Sequence, residues 1–191
     1  AYFIVFSRCY FSYYNTRDDI DDSAGECFDK IARKLNLGYP GGPEISKRSE
    51  LSNNNKFIFP RPMIKSNDYN FSFSGLKTHV INTIHKLELT NEHINNISHE
   101  VQSAIVDTLI SKSVEASKNL GIKNIVITGG VSANQKLRKD FSCIKECKAY
   151  FPDVKFSTDN GAMIAYAGFL KTKSSDFKKN FTIKPEPSLT L

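Results

Sequence analysis

An α/β fold is predicted by two strand–turn–helix passages and one long amphipathic helix. KNIVITGGVSANQKLR, residues 123–138, runs from a β-branched strand through a double glycine into a helix expected from about Ala133. VKFSTDNGAMIAYAGFL, residues 154–170, repeats the order, with VKFSTD as strand and NGAMIAYAGFL as helix. Such a turn presents backbone N–H groups to phosphate at the carboxyl end of a strand. Upstream of both, Ile94, Ile97, Val101, Ile105 and Leu109 form one apolar stripe, which predicts a half-buried helix from about His93 to Leu120, ended by Gly121.

The remaining elements follow in chain order. Residues 1–14, AYFIVFSRCYFSYY, read as a strand, since Arg8 interrupts them and no basic head or small-residue cleavage site of a signal peptide accompanies them. The chain opens on Ala1 rather than Met, which suggests a segment that begins downstream of a translation start. From Ser23, the recurrence of Ala24, Cys27, Phe28, Ile31 and Leu35 predicts an amphipathic helix with a glycine stop at Leu37-Gly38. GYPGGP, residues 38–43, is too rich in glycine and proline for regular structure, and a short helix is expected after it, through Ile45 to Leu51. Residues 52–70 read as loop, and FSFSGLK opens a helix to about His85, with Gly75 as its hinge.

Composition narrows the classes. With 191 residues and 40% hydrophobic content the chain can bury a proper core, and no apolar run approaches the roughly 20 residues of a membrane span. Cys9, Cys27, Cys143 and Cys147 contain no CxxC pair, which fits reduced thiols in the cytoplasm. A formal charge of +6 favours a polyanionic partner. Lys171, Lys173, Lys178, Lys179 and Lys184 read as a basic tail whose simplest role is a solvated face.

Four turns carry residues suited to chemistry: IDDSAGECFDK with Asp29, GYPGGP with Gly42, TGGVSAN with Asn134 and STDNGAM with Asp159. Each has an ordinary structural reading, with Asp29 an exposed helix residue, Gly42 a turn former, and Asn134 and Asp159 helix caps. Asp159 is equally suited to reach a metal or a phosphate.

Six segments in order, IDDSAGECFDK, LGYPGGPEI, FPRPM, FSFSGLKT, ITGGVSANQKLR and FSTDNGAMIAYAG, resemble the TsaD family of tRNA threonylcarbamoyltransferases, from about Ile20 to Gly168. Residues 1–19 lack the family's glycine-histidine turn. The resemblance implies a lobe of the actin, sugar-kinase and heat-shock-chaperone (ASKHA) type with a helical subdomain, the N-terminal lobe being missing. Its implied segments are a divergent strand-like edge at 1–19, a mainly helical subdomain with substrate-contacting turns at 20–92, an α/β core at 93–170 and a basic tail at 171–191.

The implied activity is transfer of threonylcarbamoyl from threonylcarbamoyl-AMP to the adenosine next to the tRNA anticodon. A non-catalytic lobe that binds family partners and a metallopeptidase, or glycoprotease, are the alternatives. The implied substrate contacts are Asp29, Gly42 and Asn134, and Asp159 is the implied ligand of one divalent metal, iron or zinc. That metal site is incomplete here: its HxxxH pair has no counterpart among His79, His85, His93 and His99. Implied partners are tRNA, a paralogous TsaB-like protein and a TsaE-like ATPase, in the cytoplasm and away from membranes.

Overall fold

The computed structural model describes residues 2–7, 10–12, 22–52, 56–66 and 68–173. Strands β1 (Tyr2–Ser7) and β2 (Tyr10–Ser12) precede helices α1 (Ala24–Lys34), α2 (Gly41–Glu50), α3 (Ser74–Ile84) and α4 (Asn91–Asn119). Then come β3 (Asn124–Thr128), α5 (Gln135–Ser142), β4 (Lys148–Tyr150) and α6 (Gly161–Thr172), with 3-10 turns at Gly130–Ala133 and Val154–Phe156. The chain is α/β, as its sequence predicts. It divides into two compact units, 1–158 and 159–191, and most of the predicted basic tail lies outside the described residues.

One mixed sheet of order β2-β1-β3-β4 backs the first unit. β1 pairs antiparallel with both β2 and β3, with Phe6 opposite Phe11 on one side and opposite Asn124 on the other. β4 lies parallel to β3, with Asn124 opposite Lys148 and Val126 opposite Tyr150. Ile125 and Ile127 of β3 point into a core shared with Cys27, Phe28 and Ile31 of α1, Ile45 of α2, Leu76 and Val80 of α3, the α4 stripe, and Leu137 and Phe141 of α5. The predicted strand VKFSTD is corrected. Its Val154–Phe156 part is a 3-10 turn, and the strand beside β3 is Lys148–Tyr150, ended by Pro152, which has no N–H to donate to a ladder.

Helix boundaries also moved. α1 stops not at Gly38 but at Asn36, which adopts the left-handed conformation (φ 55°) while the Leu37 N–H closes back on Ala32 O at 2.9 Å. The GYPGGP turn does not stay irregular: Gly41, Gly42 and Pro43 form the first turn of α2, where a proline is tolerated because its N–H would have no helical partner. Gly75 lies inside the first turn of α3 rather than at a hinge. α4 ends where its sequence predicts, with Gly121 at φ +65° and the Ile122 N–H bonded to Ser117 O at 3.0 Å.

The irregular stretch between α2 and α3 is pinned by two buried charges on α4. Arg61 bonds Glu100 through Nη1, Asp107 through Nη2 at 2.9 Å, and Phe59 O at 2.7 Å, and the Phe59 N–H donates to Glu100 Oε1 at 3.2 Å. About three turns beyond Glu100 on α4, Lys112 donates to Ser66 Oγ at 2.6 Å, Met63 O at 3.1 Å and Asp68 Oδ1 at 3.1 Å. These bonds offset the desolvation of groups that are only 3% and 2% exposed.

At Gly41 the start of α2 approaches α1 too closely to admit a Cβ. A Cβ built on Gly41 would lie 2.7 Å from Asp29 Cα, 2.7 Å from Phe28 O and 2.8 Å from Ala32 Cβ. Because most of what it would meet is backbone, side-chain repacking cannot relieve it. Gly41→Ala is expected to destabilise the fold by about 3 kcal/mol, the upper range of overpacking costs. Urea unfolding of the variant beside the parent chain measures this, and an unchanged midpoint would remove the close approach as a constraint.

Candidate functional site

The site grows from the middle of α1, where Asp29 faces the start of α2. Pro40, the residue before α2, offers no side-chain cap. Asp29 of α1 takes that role from outside the helix, its Oδ1 accepting the Gly41 N–H at 2.7 Å. The half-buried carboxylate keeps Oδ2 for another donor. Gly42, the next residue, has only open space within 4 Å of where its Cβ would stand. The start of α2 therefore presents Gly42 to open space beside a carboxylate.

Asn134 enters from the turn after β3. Gly129 turns the chain with φ +84°, the Ser132 N–H bonds Gly129 O at 2.9 Å, and the Asn134 N–H bonds Val131 O at 3.0 Å. Asn134 then caps α5, its Oδ1 accepting the Leu137 N–H at 3.0 Å. Its Nδ2 donates to Ser46 Oγ at 3.1 Å and to Gln102 Oε1 at 2.9 Å. Ser46 lies one turn beyond Gly42 on the same face of α2. Asp29, Gly42 and Asn134 are thus gathered around the first two turns of one helix. Most of the Asn134 side chain is spent inside the fold, with one lone pair of Oδ1 given to the Leu137 N–H and both Nδ2 protons to Ser46 and Gln102.

Asp159 belongs to the second unit and is exposed. The capping role read for it falls to its neighbour: Asn160 Oδ1 accepts the Met163 N–H at 3.0 Å and opens α6. Among the described residues no three His, Cys, Asp or Glu side chains converge as a metal requires. The donors among the described residues do not fit a metal by themselves.

Several motif residues turn out to hold the frame. Lys77 of FSFSGLK pairs with Asp22 of IDDSAGECFDK, whose other oxygen takes Lys30 at 2.5 Å. Burial alone would raise the Asp22 carboxyl, but the bonds from Lys30 and Lys77 outweigh it and hold the pKa below the ordinary 3.8. Gln102, Ser46 and Ser49 were missed. Inside an amphipathic pattern a lone Gln or Ser reads as solvent-facing, and no local signal distinguishes a buried one.

With this geometry in place, comparison with known proteins identifies the family. The description "TsaD: tRNA N6-adenosine threonylcarbamoyltransferase" matches residues 4–166. The chain belongs to the TsaD family. The match begins upstream of Ile20, so it takes in strand residues that the motifs alone leave outside the resemblance. A tRNA N6-adenosine threonylcarbamoyltransferase of Thermosipho africanus is 46% identical over 175 residues, covering 90% of this chain and 53% of the relative. Proteins of the same name from Ralstonia pickettii and Herminiimonas arsenicoxydans are 42% and 43% identical, covering 82% and 89% of this chain and 48% and 52% of their own lengths. The chain spans about half the length of these TsaD relatives. No described helix is long and apolar enough to cross a membrane.

The Asp22 cluster gives this TsaD chain a defined acid response. A carboxyl whose pKa is lower folded than unfolded binds fewer protons when folded, so its stabilisation is complete above 3.8 and fades as pH falls through the lowered folded value. Asp22→Asn is expected to be less stable than the parent at neutral pH, with the gap closing below 3.8. Urea midpoints across that range test it, and a gap independent of pH would show that Asp22 stays protonated or unpaired.

Proposed function

We propose that the chain forms the adenylate-binding part of a tRNA threonylcarbamoyltransferase. The supporting observation is the convergence of Asp29, Gly42 and Asn134 on the start of α2. Asp29 Oδ2 is the acceptor for a ribose hydroxyl, and the absence of a side chain at Gly42 lets the nucleotide approach the backbone. The Gly42 N–H at the start of α2 and the glycine turn after β3 supply partial positive charge for the phosphate.

In the reaction, the N6 amine of the tRNA adenosine attacks the carbamoyl carbonyl of threonylcarbamoyl-AMP. The new C–N bond forms as the C–O bond to phosphate breaks, AMP leaves with that electron pair, and the amine proton passes to solvent. Backbone dipoles aimed at the phosphate and carbonyl oxygens favour the charge that develops there. In this reading Asp159 is one ligand of a divalent iron or zinc whose histidine ligands come from outside the described residues. The ASKHA-type lobe, TsaB-like and TsaE-like partners and a cytoplasmic location belong to the same reading.

Nucleoside mass spectrometry of tRNA tests it, in cells that lack their own family enzyme and express this chain together with the amino-terminal half of a TsaD relative. Threonylcarbamoyladenosine is expected to return with the parent chain. Gly42→Leu, whose side chain meets open space and leaves thermal stability unchanged, is expected to lose it. Failure of the parent chain to restore the nucleoside would overturn the activity, and full activity of Gly42→Leu would remove α2 from the site.

A further inference from the structure

Gln102 stands apart from all six motifs, yet its side chain ties one of them, at Asn134, to the helix that carries another. It is 5% exposed on α4. Its Oε1 accepts from Asn134 Nδ2 at 2.9 Å and from Ser46 Oγ at 2.6 Å, and its Nε2 donates to Ser49 Oγ at 2.7 Å. Ser49 Oγ in turn donates to Ser46 O at 2.9 Å.

These bonds have one direction. The Leu137 N–H can only donate, so it fixes Asn134 Oδ1 as acceptor and leaves Nδ2 to donate to Gln102. Gln102 must then present Oε1 to Asn134 and Nε2 to Ser49, whose hydroxyl ends the chain on a backbone carbonyl of α2. A flipped amide at either position would set donor against donor or acceptor against acceptor. Two lone pairs of one buried oxygen are thereby saturated, one by the turn after β3 and one by α2.

From this geometry we infer that Gln102 is a positioning residue of the adenylate site. It sets the distance between the start of α2, which carries Gly42, and the glycine turn that ends at Asn134. It need not touch the ligand, since it acts by holding both walls at one spacing. The role in binding rests on the adenylate reading above. The hold on Asn134 can be observed independently of any ligand.

Two variants of the 191-residue chain separate positioning from packing. Gln102→Met keeps the volume and removes the acceptor. Gln102→Glu keeps an acceptor for Asn134 and Ser46, and Ser49 can rotate its hydroxyl to donate to the second carboxylate oxygen. AMP affinity by calorimetry, thermal unfolding, and the Asn134 side-chain amide signals in nitrogen-15 NMR are read on all three proteins. Gln102→Met is expected to keep its unfolding temperature, to bind AMP roughly tenfold more weakly, the scale of one or two hydrogen bonds, and to lose the separated, slowly exchanging Asn134 amide protons.

Gln102→Glu is expected to be less stable, because it buries a charge, while binding AMP within about twofold of the parent. Affinity that tracks unfolding temperature across the variants would overturn the inference in favour of a packing role. Unchanged Asn134 amide signals in Gln102→Met would also overturn it, whatever the affinities. A parent chain that shows no AMP binding strikes the adenylate reading and Gln102's part in it, while the amide signals still decide whether Gln102 holds Asn134.

Discussion

Burying Glu100, Gln102 and Lys112 along one helix is the constraint on which the first unit of this TsaD chain depends. Each is 5% exposed or less, so each must recover inside the protein what it loses from water. Glu100 and Lys112 do so by seizing the stretch around Arg61, Met63 and Ser66. Gln102 does so by joining α2 to the cap of α5. An apolar helix packs in many neighbouring registers at similar cost. A helix that buries Glu100, Gln102 and Lys112 packs in the register that satisfies those three. Net stability from such groups is small, because desolvation nearly cancels the bonds, and what they contribute is geometry.

That geometry explains why residues 59–66, a stretch of weak local preference between α2 and α3, are nevertheless held in place. Their partners were chosen for them by α4. The same logic applies at Gly41, where α1 and α2 approach until no Cβ fits. The approach brings Asp29 within reach of a backbone N–H that Pro40 cannot cap. One contact shapes the core and also leaves a carboxylate oxygen at an open helix terminus, so a change that loosens α1 on α2 alters fold and site together.

What the sequence discloses divides along physical lines. The α4 stripe and its Gly121 stop, the α1 stripe and the α6 helix are legible because periodicity and termination are local. Val154 and Phe156 have the composition of a strand, but a strand exists only by pairing. The position beside β3 is taken by Lys148–Tyr150, whose residues show little β pattern. GYPGGP misleads for a related reason: glycine and proline disfavour a helix interior but not its first turn. Asp29, Gly42 and Asn134 are recognisable as a set through resemblance. Gln102, which brings Asn134 and α2 together, leaves no mark, since one polar residue in an amphipathic helix reads the same exposed or buried.

Capping settles what the turn at 158–161 asks of its two polar residues. A helix start needs one acceptor for its orphan N–H groups, and Asn160 supplies it to Met163. With the cap assigned to a neutral amide, the adjacent carboxylate is not required to stabilise α6. At Asn134 the opposite holds, because the same amide caps α5, takes both Ser46 and Gln102, and has little left for a ligand. The two turns therefore divide their labour differently: after β3 one amide both caps α5 and ties it to α2 and α4, whereas before α6 Asn160 caps the helix and Asp159 takes no part in the cap.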